Sequence, residues 1–135
     1  MLRHKLEFDD MNLIEEYLDN ISKIKLSYDD YGDKRKVRKS NKLADRNVKI
    51  AESINTLEEL KKQFVNLLDS ENREIRGWAA HHVIERMSFD KTVRQKALNI
   101  IEDEAANSSD SLHRMGTKMW LEKYYSANPD DRPTK

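Results

Sequence analysis

Residues 67–87 read LLDSENREIRGWAAHHVIERM. Leu67 and Leu68 close one apolar stretch, and Asp69 to Asn72 is a run of polar turn formers. A second apolar stretch follows, with Ile75, Trp78, Ala79, His82 and Val83 at one-, three- and four-residue steps. That spacing sets the five side chains on one side of a helix. The stretch therefore predicts two antiparallel helices joined by a tight turn, which is the building unit of an α-helical solenoid.

The chain echoes this unit further on. A shift of 37 residues carries Leu60 onto Ala97, Phe64 onto Ile101, Ile75 onto Leu112, Trp78 onto Met115, Ala79 onto Gly116 and Val83 onto Trp120. A period of about 40 residues with two helices per unit belongs to the HEAT and armadillo class. Two such repeats rarely make a stable stack, so an earlier helix pair must supply a third layer, with Tyr17, Leu18 and Ile21 as the contact. The expected fold is all-α: three antiparallel helix pairs stacked as a short HEAT-like right-handed α-α superhelix. The expected organisation is a lead-in over 1–10, a single helical-repeat domain over 11–126, and a disordered tail over 127–135.

The other elements follow from the same periodicity. A first helix is expected from about Met11, capped by Asp9 or Asp10, to Leu26, with Leu13, Ile14, Tyr17, Leu18, Ile21 and Ile24 inward. The turn over Tyr28 to Asp33 uses Gly32 in the left-handed backbone region. A second helix runs from about Lys34 to Asn55. A third starts in a capping box, Thr56-Leu57-Glu58-Glu59, and runs to Leu68. Ser88 to Asp90 ends the fourth helix, and Asp90 caps a fifth that reaches Ala106. The sixth, about Ser111 to Tyr125, is expected to bury Leu112, Met115, Met119 and Trp120.

Composition limits what such a fold could do. The 25 basic and 25 acidic residues cancel, so no global field draws in nucleic acid or an anionic membrane. Cysteine is absent, which removes disulfides, thiolate nucleophiles and cysteine-ligated zinc, and fits a reducing cytoplasm. The first residues, MLRHKLEFDDMN, have no apolar core of signal-peptide length, and no window nears a membrane span. A soluble, cytoplasmic protein with no membrane partner is expected.

Two strings in this chain resemble a known family. They are Asp69…Arg73…Ile75-Arg76…Trp78-Ala79-Ala80, and the Leu13…Tyr17…Ile21 helix followed by Asn41-Lys42. Over roughly residues 11–125 the chain resembles a small bacterial HEAT-like family known as domain of unknown function number two thousand and nineteen. The resemblance implies an all-α solenoid-like fold and carries no catalytic residues. It also implies the setting of an immunity protein made beside a bacterial toxin.

The residues themselves offer little chemistry. His81 and His82 are adjacent on a helix and point about 100° apart, so they cannot jointly hold one metal from that helix. His81 and Glu85 share a face, but no third ligand is placed by spacing, and His4 and His113 are too scattered to help. No metal or cofactor is expected. In the sequence, His82 reads as a hydrogen-bonded residue at the core edge and His81 as exposed. Glu15-Glu16 and Asp29-Asp30 are carboxylate pairs without the cleft that acid–base catalysis needs. Nucleophile elbows, phosphate-binding loops and dinucleotide glycine patterns are missing. No catalytic residue is assigned, and a non-enzyme is expected.

One feature stands above this background. Arg35, Arg38, Lys39, Lys42, Arg46 and Lys49 gather on the outer half of the second helix, interrupted little by acids. An ordinary solvated helix face would look the same. A functional face would receive an acidic protein or a phosphate backbone, and no aromatic residue interleaves the cations as single-strand binding requires. Arg73, Arg76, His81, Glu85 and Arg86, on the solvent side of the fourth helix, extend the candidate surface. The expected function is a protein-binding helical-repeat module, an immunity protein that occludes its cognate toxin. Nucleic-acid binding through the second helix and self-association as a scaffold are the alternatives.

Overall fold

The computed structural model describes residues 2–24 and 32–133. Among them are six α-helices and no strand: α1 (Leu2–Lys23), α2 (Lys34–Ile54), α3 (Glu58–Val65), α4 (Arg73–Glu85), α5 (Lys91–Asn107) and α6 (Ser111–Ala127). The all-α expectation holds. The first helix, expected to reach Leu26, ends at Lys23, where the Ile24 amide turns back to the Ile21 carbonyl; the turn over Tyr28 to Tyr31 and the Asp29-Asp30 pair lie outside the described residues.

Several boundaries differ from the sequence reading, each for a local reason. Helix α1 begins at Leu2 rather than near Met11. Its 22 residues contain no glycine or proline to stop it, and Asp9 and Asp10 lie inside the helix instead of capping it. Gly32 does not take a positive φ. The capping box does not form: Thr56 Oγ1 donates to the carbonyl of Ser53, and Leu57 occupies the cap position of α3 with no side-chain bond. Helix α3 is short because its last turn tightens into a 3-10 segment, Asn66–Asp69.

The chain divides into two compact units, residues 1–67 and residues 68–135. In the first, α1 packs along α2, and α3 closes on both. Its core is Tyr17, Ile21, Ile50, Ala51, Ile54, Leu60 and Phe64, with the Tyr17 and Phe64 rings edge to face at 5.1 Å. Two buried asparagines sit among these apolar groups. Asn20 Nδ2 donates to Asn47 Oδ1 at 2.9 Å, and Asn47 Nδ2 donates to the Tyr17 carbonyl at 3.1 Å. Buried amides without partners would be costly, and this chain of bonds fixes the α1–α2 register instead.

In the second unit α5 packs against both α4 and α6. Ala79, Ala80, Val83, Ala97, Leu98, Ile101, Ala105, Leu121 and Tyr125 form its core. Each of the three helices starts in a similar way. Asn72 Oδ1 accepts from the amides of Glu74 and Ile75, Asp90 Oδ1 from Val93, and Asp110 Oδ1 from Leu112 and His113. Four residues on, an arginine reaches back to a carbonyl before the cap: Arg76 to Ser70, Arg94 to Phe89 and Arg114 to Ser108. These clasps meet the amides that a helix start leaves open and anchor the preceding loop.

The segment after Ala127, expected to be disordered, carries a 3-10 turn at Pro129–Asp131. Asp131 is buried, accepting from Arg94 Nε at 3.2 Å, Arg94 Nη2 at 3.1 Å and the Tyr124 hydroxyl at 2.6 Å. Arg94 holds the Asp131 carboxyl below its ordinary range. A charge so well bonded orders a segment whose composition alone reads as loose.

Candidate functional site

The clasps reset the register of the repeat. Ser70, Asn72 and Arg76 recur as Ser108, Asp110 and Arg114, which is 38 residues on rather than 37. In this register Ala79, Val83 and Met87 correspond to Thr117, Leu121 and Tyr125, and all six are buried. One residue of register turns a helix by about 100°. That turn moves the buried side of α6 away from the residues expected to fill it.

Leu112, Met115 and Met119, read from sequence as core, are 75%, 59% and 67% exposed. Trp120 is half-buried rather than enclosed, and so is Trp78. On α6 the exposed trio and the buried Thr117, Leu121 and Tyr125 lie on roughly opposite sides, about 160° apart. Gly116 sits within the apolar stripe, and a Cβ placed there would meet nothing within 4 Å. A contiguous apolar face of this kind is the signal that marks a contact surface.

The residues named from sequence fall into different settings. Arg35, Arg38, Lys39, Lys42 and Lys49 are exposed along α2, and none of them enters an ion pair among the described residues. Arg46 differs: its Nε and Nη2 grip Glu16 of α1 at 2.6 and 2.9 Å, and this bond holds the Glu16 carboxyl below its usual range. On α4, Arg73 is exposed and pairs with Asp103 at 3.6 Å, and Arg86 is exposed at the helix end. Arg76 is only half-exposed, because its guanidinium is drawn back to the Ser70 carbonyl.

His81 also departs from expectation. It is half-buried, with Nδ1 3.6 Å from Glu85 and Nε2 3.7 Å from Glu104 of α5, and its ring stands edge-on to Trp120 of α6 at 5.2 Å. His113 of α6 approaches the same Glu104 oxygen at 3.1 Å. Burial opposes a charge on His81, but the two carboxylates outweigh it and the pKa is pushed up to about 9. His82, one residue on, is buried, and that burial pushes its pKa down to about 4. Adjacent histidines thus carry different charges at neutral pH.

Glu104 joins three helices. Burial raises its pKa, yet His81 and His113 hold it below its ordinary range. Its Oε1 is buried without a hydrogen-bond donor among the described residues and faces Gly77, where a Cβ would stand 2.6 Å away. Glycine at 77 makes this close approach of α4 and α5 possible. Although histidines and carboxylates meet here, no three such side chains among the described residues are arranged to hold a metal ion. The cluster is an ion-paired joint between helices.

Comparison with known proteins finds no matching family model, curated protein or solved structure. No helix among the described residues is long and apolar enough to cross a membrane. Glu104 carries no signal in the sequence. Glu104 sits unremarkably within Glu102-Asp103-Glu104. The stripe was visible as a stripe, and only its direction was missed; the recurring Ser-x-Asn/Asp-x-x-x-Arg string was the signal that would have corrected it.

Proposed function

We propose that this chain is a non-enzymatic helical module that binds another protein and acts by occluding it, in the manner of an immunity protein neutralising a toxin. The observation that supports this is the apolar face of α6: Leu112, Met115 and Met119 point away from the core of their own unit. Leaving three large apolar side chains in water forgoes roughly 1.5–3 kcal/mol each relative to burial. A docked protein recovers that energy. A HEAT-like repeat is part of the same proposal, supported by the return of the Ser70–Asn72–Arg76 clasp at Ser108–Asp110–Arg114.

Affinity purification from the cells that make the protein, followed by mass spectrometry, tests the reading. One protein recovered in stoichiometric amount is the expected result. Recovery of the chain alone at twice its mass would replace the proposal with a self-associating scaffold.

A second reading has its own observation. Five exposed cations, Arg35, Arg38, Lys39, Lys42 and Lys49, line α2 without an ion pair among the described residues and suit a phosphate backbone. Titration with duplex DNA and RNA at two salt concentrations decides it: binding that weakens steeply with salt supports it, and no binding at low salt ends it.

A further inference from the structure

The occupant of the α6 face can be read from what α4 does with the equivalent positions. In the 38-residue register, Gly77 and His81 of α4 correspond to Met115 and Met119 of α6. Gly77 lies against Glu104 of α5, and His81 meets both Glu104 and Trp120. These α4 positions therefore face the helices that follow in the chain. The α6 positions present the same face, and no helix among the described residues follows on it. The exposed ridge is long enough to seat a helix: residues 112–119 rise about 10 Å, two turns, and Gly116 leaves open space beside the two methionines. Methionine, unbranched and polarizable, repacks readily around an incoming side chain.

The charges beside the stripe narrow the choice. Lys118 and Lys123 border it and enter no ion pair among the described residues. Glu122, the acid on that side, is already 3.6 Å from Arg132. The border is net positive and suits an acidic flank. A second copy of this chain matches poorly. An antiparallel pair centred on the stripe sets Lys118 opposite His113, and a parallel pair sets each lysine against itself.

We infer that Leu112, Met115 and Met119 receive an amphipathic helix of another protein, apolar on one side and acidic along its flanks, seated where a further helix of the stack would lie. This rests on the protein-binding reading above and names the chemistry of its partner.

A photo-crosslinking amino acid at position 115 of the full-length chain, expressed in the cells that make it, tests the inference. A control chain carries it at position 42 on α2. The expected conjugate at 115 joins a segment of a different protein with apolar residues at three- and four-residue steps and a net acidic flank. Lys118→Glu with Lys123→Glu should lower its yield about tenfold, while the Lys→Arg pair keeps it. A conjugate of the chain with itself, with lipid, or with a basic or non-helical segment overturns the inference. So does the absence of any conjugate at 115. Capture at 42 but not at 115 leaves the protein-binding function standing and removes only the α6 surface. Capture at neither position removes both.

Discussion

Helices α4 and α6 enter the second unit through the same device and end in different circumstances. Both begin with a capped turn and an arginine clasp, and both bury side chains four residues apart: Ala79 and Val83 on α4, with Met87 just past its end, and Thr117, Leu121 and Tyr125 on α6. Their other faces diverge. Helix α4 places a glycine and a histidine against Glu104 of α5, whereas α6 places two methionines and a leucine in solvent. Apolarity alone does not say which side of a helix is covered; the neighbours decide that.

The comparison breaks most readily at its largest effect. Leu121→Ala should cost about 2–5 kcal/mol in denaturant unfolding, as buried leucines do. Met119→Ala, two residues away, should stay within about 0.5 kcal/mol. If Met119→Ala were as damaging as Leu121→Ala, the two faces of α6 would have to be exchanged.

The paired histidines of α4, which α6 lacks, shape the pH dependence. The folded pKa of His81 is raised from 6.5 to about 9, so its stabilising contribution is fully present below pH 6.5 and is lost as pH rises through 9. His82 is lowered from 6.5 to about 4, so its contribution is present above pH 6.5 and is lost as pH falls through 4. The two limbs meet near pH 6.5, each at most roughly 3 kcal/mol. Unfolding measured from pH 4 to 9 should show His81→Gln flattening the alkaline limb and His82→Gln the acid one. A parent-like alkaline limb in His81→Gln would mean that Glu85 and Glu104 do not hold the imidazolium.

The similarity of the two helix starts can be sharpened. Asn72→Ala and Asp110→Ala should each cost about 1 kcal/mol, since each side chain satisfies two backbone amides. A several-fold difference in unfolding midpoint shift between them would show that the clasps are not equivalent.

The smallest effect separates the two glycines. Gly116→Ala should stabilise by about 0.5–1 kcal/mol, because the site is open and alanine is the better helix former. Gly77→Ala should lose that gain, because its Cβ displaces a Glu104 carboxylate held by two histidines. Thermal melts of the two variants should move apart. An equal rise in both would show that Glu104 yields freely.

Much of the architecture could be read from periodicity and punctuation. The starts of α2, α4, α5 and α6 follow Asp33, Asn72, Asp90 and Asp110; Asp90 caps as expected, and the other three, read from sequence as turn residues, accept the first amides of their helices as well. The candidate surface was harder to read. The α2 cations show themselves because charges at helical spacing declare a solvent face. Arg46 resembles its neighbours in sequence but is taken up by Glu16, thirty residues earlier in the chain. Such partners are set by packing and leave no local signal.

By itself the sequence determined that the fold is all-α, placed most of the stretches that become helices and showed where four of them begin, because these follow from local backbone geometry and from period. Only the tertiary structure decided which side of α6 lies inward, that Asp131 is drawn in by Arg94 and Tyr124, and that Glu104 joins α4, α5 and α6. Those outcomes depend on groups far apart along the chain meeting in space, where a single residue of register rotates a helix by about 100° and changes every contact it makes.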